Sequence, residues 1–170
     1  IPPEGKDRML RQFEELAAEW LQCALRDEHH GFTNVTDTIE EIHKGVSKAY
    51  GCGAGLGLLG VATDGEVALC HRFAGSEEHT IGSVGEGIDR EKQDRFLTDH
   101  HIARKTDCHT CWARPICSGG CYHEAHVRYG DSSRPNLHYC NWVRSWTHTC
   151  LTIYGTLAEE NPAFLARFDA

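Results

Sequence analysis

Seven cysteines and one glycine carry the strongest chemical signal in the chain. Residues 108–121 place Cys108, Cys111, Cys117 and Cys121 in the spacing C-x2-C-x5-C-x3-C, so four thiolates fall within fourteen residues. A two-residue gap lets neighbouring sulfurs converge on adjacent coordination sites, so such a segment can wrap a metal centre. Upstream, Cys52 and Cys70 flank Gly65 as C-x12-G-x4-C, and Cys140 follows downstream. Three chemistries compete for these thiols. Structural zinc uses the same ligands, but its common form is two paired knuckles separated by a longer loop, a spacing not found here. Disulfides need an oxidising compartment and even pairing, whereas the chain has nine cysteines. Iron–sulfur ligation is the leading reading.

The elements that must position these thiols can be read from periodicity. Between Lys6 and Asp27, residues Met9, Leu10, Phe13, Leu16, Ala17, Trp20, Leu21, Ala24 and Leu25 recur every three or four positions, a helix with one buried face. Cys23 lies between those apolar positions and is expected to be a buried small side chain. Asp37 followed by Glu40 reads as a capping pattern for a second helix carrying Ile39, Ile42, Val46 and Ala49 and stopped by Gly51. That helix would deliver the chain to Cys52 and a flexible loop, Gly53-Ala54-Gly55-Leu56-Gly57, whose backbone can lie close to an inorganic cluster.

Short β-like runs, Leu58 to Thr63 and Val67 to Cys70, flank Asp64-Gly65, a strong signal for a tight hairpin that would fold Cys70 back toward Cys52. Residues 75–87 read as loop and 89–101 as a polar helix. A third helix is marked by Trp142, Val143, Trp146, Cys150, Ile153, Tyr154 and Leu157, with Cys150 on its buried stripe. The fold class expected is α+β.

Composition bounds the partners. A formal charge of −8 with scattered basic residues would repel a phosphate backbone, so nucleic acid is not an expected partner. No stretch approaches the roughly 20 apolar residues needed to cross a bilayer. The first residues, Ile1-Pro2-Pro3-Glu4-Gly5, show no basic or apolar leader and read as a cut inside a longer chain, with the cytoplasm as the expected compartment.

Taken together, C-x12-G-x4-C, C-x2-C-x5-C-x3-C and a final Cys140 resemble the SPASM domain, the C-terminal extension of radical S-adenosylmethionine enzymes that mature peptides. Cys70-His71-Arg72-Phe73, Cys111-Trp112-Ala113-Arg114, the run from Cys117 to Gly130, residues 135–140 and Asn161-Pro162-Ala163-Phe164-Leu165 look like the maturation proteins of quinohemoprotein amine dehydrogenase. The resemblance implies two auxiliary [4Fe–4S] clusters. Cys108, Cys111, Cys117 and Cys140 would hold the second; Cys52, Cys70 and Cys121 would hold the first, leaving its fourth position open or filled by His71, Asp107 or a substrate thiolate.

The same resemblance divides the chain into a helical linker (1–51) from an absent radical barrel, the auxiliary-cluster domain (52–158) and a tail (159–170). S-adenosylmethionine and a third cluster belong to that barrel, because no C-x3-C-x2-C loop occurs here; alone, the fragment is not expected to start the radical reaction. The activity implied is formation of thioether crosslinks from Cys to Asp or Glu within a dehydrogenase small subunit, so the implied partners are that polypeptide and the chain's own N-terminal barrel. The different-class alternative is a non-catalytic module, stapled by iron–sulfur or zinc, that docks a partner protein.

His123 and His126, close to Cys121, are candidates for hydrogen bonds to a cluster or for substrate contact, and Arg72 and Arg114 for offsetting cluster charge. The pairs His29-His30 and His100-His101 read as solvated surface.

Overall fold

The computed structural model describes residues 3–169. In chain order the elements are α1 (Pro3–Leu25), α2 (Thr33–His43), β1 (Gly60–Val61), β2 (Glu66–Ala68), β3 (Thr80–Ser83), β4 (Gly87–Ile88), α3 (Arg90–His100), α4 (Arg114–Cys117), α5 (Tyr122–Tyr129), α6 (Cys140–Glu160) and α7 (Pro162–Leu165). Helices with a small four-stranded antiparallel sheet make the class α+β. No described helix is long and apolar enough to cross a membrane.

Two compact units divide the chain. One joins residues 1–47 to 137–170; the other is residues 48–136. The divisions therefore differ from the expected 51/52 and 158/159. The segment expected to be a linker packs α1 and α2 against α6, and the expected tail contributes α7 to the same core.

In the helical unit, Ala17, Trp20 and Ala24 of α1, Val35 and Ile39 of α2, and Trp146, Cys150, Ile153 and Leu157 of α6 form one apolar interior. Phe13 meets Phe32, Trp142 and Trp146 edge-on at centroid distances of 5.2–5.3 Å, a geometry favoured by the ring quadrupoles. Trp20 donates its indole N–H to Thr36 Oγ1 at 3.0 Å. Cys150 is fully buried, as its place on the stripe predicts. Cys23 is only half-buried, with Arg26 Nη2 4.0 Å from its sulfur.

The second helix corrects the sequence reading at both ends. It begins at Thr33, with no side-chain cap, so Asp37 lies inside it, and it ends at His43 rather than running to Gly51. Phe32, packed on Phe13, anchors its start, and Gly45, at φ +62°, turns the chain out of the helix after Lys44. Val46 and Ala49 therefore lie outside it.

In the other unit the sheet order is β1-β2-β3-β4. The hairpin at Asp64-Gly65 forms with Gly60 opposite Ala68 and Val61 opposite Val67, in shorter strands than the sequence suggested. Residues 75–87, read as loop, contain β3 and the start of β4. Their glycines hid a strand that is stabilised by pairing with β2 and by burial of Ile81. Val67, Leu69, Phe73, Ile81, Phe96 and Tyr122 fill the interior. The polar helix α3 forms as expected, capped by Asp89, whose carboxylate accepts from Lys92 N at 3.1 Å.

Candidate functional site

The glycine-rich loop after Cys52 is tied down at both sides. Gly55 N donates to Leu69 O at 2.8 Å, and buried Gln93 donates from Nε2 to Gly55 O at 2.6 Å. The hairpin thereby holds Cys70 beside the segment that carries Cys52. Gly51 sits so close to Gly120 that a Cβ on it would lie 2.6 Å from the Gly120 carbonyl oxygen, and its amide donates to Tyr122 Oη at 3.0 Å. These contacts seat the loop bearing Cys52 against the start of α5, where Cys121 is the residue before the helix.

The consequence is that Cys52, Cys70 and Cys121, far apart in sequence, lie within electrostatic reach. Cys52 is exposed as a residue, yet its sulfur is crowded by protein. Burial pushes this thiol up, the Ala54 amide pulls the other way, and negative charge on Cys121 and Cys70 adds to the rise. The Tyr122 hydroxyl is pushed up to about 12, first by burial, with Cys52, Tyr50 and Cys121 charge adding to it.

Positive charge stands beside these sulfurs. Arg72 places Nη1 3.6 Å from Cys121 Sγ and Nη2 2.8 Å from Glu124 Oε1. Arg72 holds the Glu124 carboxyl below the usual carboxylate range. Arg114 instead donates to His109 O at 3.1 Å. His71 and Asp107 are exposed on turns beside their cysteines. His123 and His126 lie on α5, near Phe73 at 5.1 and 5.9 Å between centroids.

The Cys108–Cys121 segment is a chain of tight turns. Cys108 N donates to Lys105 O, Cys111 N to Cys108 O and Cys117 N to Ala113 O, at 2.9–3.0 Å. Ser118 follows in a left-handed conformation (φ +49°), fully buried, its Oγ donating to Lys48 O at 2.7 Å. The local spacing thus folds into local turns.

Sequence reading missed Lys105, which is 2% exposed. Its ammonium donates to Ser133 O at 2.6 Å and lies 5.3 Å over the Tyr122 ring. Burial lowers its pKa, while negative charge on Cys108, Asp131 and Cys117 opposes that fall. A lysine three residues before the first cysteine of the knot was its only sequence signal. Tyr122, Glu124 and Ser118 were also missed. The surface reading of His100 fails: it is 6% exposed, donating from Nδ1 to Phe96 O at 2.7 Å and accepting at Nε2 from Ser132 Oγ at 2.9 Å. Its partner His101 is half-buried, His29 is exposed and His30 half-buried.

Among the described residues, no three cysteine sulfurs gather within 4.8 Å as ligands of a single ion would, so their separations do not by themselves mark a cluster. A multi-iron cluster sets its thiolates on different irons, further apart than the ligands of one ion. Thiolate donors with an arginine beside one sulfur are the kind of side chains such a group uses. Cys140 opens α6 in the helical unit, and its assignment rests on the family resemblance. Comparison with protein-family models and with curated proteins finds no match.

Proposed function

We propose that this chain is an auxiliary iron–sulfur domain of a radical S-adenosylmethionine maturase, serving thioether crosslinking of cysteine to aspartate or glutamate in a dehydrogenase small subunit. The observation that supports the reading is that Cys70 and Cys121, which the family resemblance assigns with Cys52 to one ligand set, lie within electrostatic reach of Cys52. Cys108, Cys111, Cys117 and Cys140 are the proposed ligands of the second [4Fe–4S] cluster. Bound there, the clusters would supply one-electron transfer and an iron position for a substrate thiolate.

The chain's own residues prepare these sites. Arg72 beside Cys121 and the buried ammonium of Lys105 near Cys108 and Cys117 place positive charge where thiolates and clusters concentrate negative charge. Tyr122 and Gln93 fix the loops that carry Cys52 and Cys121. The first set holds three thiolates, and its fourth position is open or filled by His71, Asp107 or a substrate thiolate. The radical-generating barrel and the substrate polypeptide are the proposed partners.

The test is iron and acid-labile sulfide content of anaerobically reconstituted protein, with electron paramagnetic resonance of the reduced form. Two cluster signals are expected. Cys52→Ala, Cys70→Ala and Cys121→Ala should each remove one, and Cys108→Ala, Cys111→Ala, Cys117→Ala and Cys140→Ala the other. Colourless protein that takes up zinc but no iron and sulfide would overturn the proposal.

A further inference from the structure

We propose that Glu78, His79 and His126 form a binding site for one divalent metal ion of the zinc class, separate from the cysteines. Glu78 and His79 end the turn that enters β3, and His126 lies on α5. Each offers a ligand atom, and the three atoms lie within 4.8 Å of one another. Tetrahedral zinc, with bonds near 2.0–2.1 Å, needs its donors roughly 3.4 Å apart. The remaining approach is within reach of the exposed Glu78 side chain.

The two histidines are prepared for this role. His79 is 4% exposed, its ring is stacked on Phe73 at 3.9 Å between centroids, and its Nδ1 is 2.8 Å from Ser76 Oγ. That outer partner fixes the ring and leaves Nε2 as the coordinating nitrogen, the arrangement seen for ligating histidines. His126 meets His79 edge-to-face at 4.5 Å, and its Nδ1 is buried with no hydrogen-bond partner among the described residues. A buried ring nitrogen without a partner calls for a proton acceptor, a water or a metal.

A cleft of about 500 Å³ has Glu78 and His79, two of the three donors, in its wall. Two imidazoles and one carboxylate select a borderline ion such as Zn²⁺ over Mg²⁺ or Ca²⁺, which prefer all-oxygen shells. Three protein donors leave the fourth position to water. None of these residues is a cysteine, so the inference stands apart from the iron–sulfur reading.

The experiment is titration of the untagged chain with Zn²⁺ alone, combined with zinc-edge X-ray absorption to identify the neighbouring atoms. One equivalent with only nitrogen and oxygen neighbours is expected in a chain carrying Cys52→Ser, Cys70→Ser, Cys108→Ser, Cys111→Ser, Cys117→Ser, Cys121→Ser and Cys140→Ser, and the wild type should take up that equivalent in addition to any zinc its thiolates bind. His126→Gln should abolish it, and Ser76→Ala should weaken it about 10–100-fold. Should the cysteine-depleted chain not fold, the same equivalent is read in the wild type as the difference from Glu78→Gln, an exposed change that spares the core. Zinc with sulfur neighbours only, or equal uptake by wild type, Glu78→Gln and His126→Gln, would overturn the proposal.

Discussion

The seat of the Cys52 loop against the start of α5 makes a sharp prediction at Gly51. Replacing it with alanine adds a Cβ 2.6 Å from the Gly120 carbonyl oxygen, whereas real Cβ contacts essentially never fall below 3.0 Å, so backbone must move by at least 0.4 Å. Both sides of the contact are main chain, so no side chain can swing aside. Overpacking of this kind costs about 1–3 kcal/mol. The change also stiffens the unfolded chain, which returns about 0.4–1 kcal/mol. The net loss is about 1 kcal/mol. Gly57→Ala is the matched control: it has the same unfolded-state effect, a φ outside the left-handed region and nothing within 4 Å of its added Cβ, so it should be neutral to stabilising by up to about 1 kcal/mol.

The assay is urea unfolding of residues 48–136 followed by amide hydrogen exchange. With a slope of about 1–3 kcal/mol/M, the two midpoints should separate by roughly 0.5–1 M, Gly51→Ala being the lower. Iron retained after reconstitution should fall in Gly51→Ala and not in Gly57→Ala. Coincident midpoints would refute the close approach of Gly51 to Gly120.

Three further outcomes are expected. Cys150, fully buried and pushed up to about 12 by burial, should resist a thiol reagent in the native protein, while half-buried Cys23 reacts; mass spectrometry of labelled peptides reads this. Asn161→Ala removes the cap on Phe164 N at 3.3 Å and the donor to Ala24 O at 3.1 Å, costing the helical unit about 2 kcal/mol and lowering its calorimetric midpoint on the order of 10 °C. Burial depresses the pKa of His100 below its ordinary 6.5, so below that pH the unfolded chain takes up a proton that the folded chain refuses. Stability should be unaffected above about pH 6.5 and fall below it by up to about 1.4 kcal/mol per pH unit until the folded pKa is passed. His100→Gln should flatten that slope in chemical denaturation curves measured from pH 7.5 to 5.

The sequence by itself determined what lies within one element or one short loop. The stripes of α1 and α6, the burial of Cys150, the polar helix α3 and the hairpin at Asp64-Gly65 follow from periods and turn chemistry that neighbouring residues encode. The knot from Cys108 to Cys121 was legible for the same reason: each tight turn closes over three or four residues. The start of α2 was misread because Phe32 anchors it through Phe13, a contact with another helix, whereas Asp37 offered a local cap that the fold does not use. Only the tertiary structure decided which distant groups meet. Lys105 is buried because its ammonium finds the Ser133 carbonyl and the Tyr122 ring, and His100 because Phe96 and Ser132 satisfy both its nitrogens. Likewise, Cys70 and Cys121 come within electrostatic reach of Cys52, and His79 meets His126, through the hairpin, the Gly51–Gly120 approach and the packing around Phe73. A side chain's neighbours across the chain depend on how all the elements pack, and no local period records that.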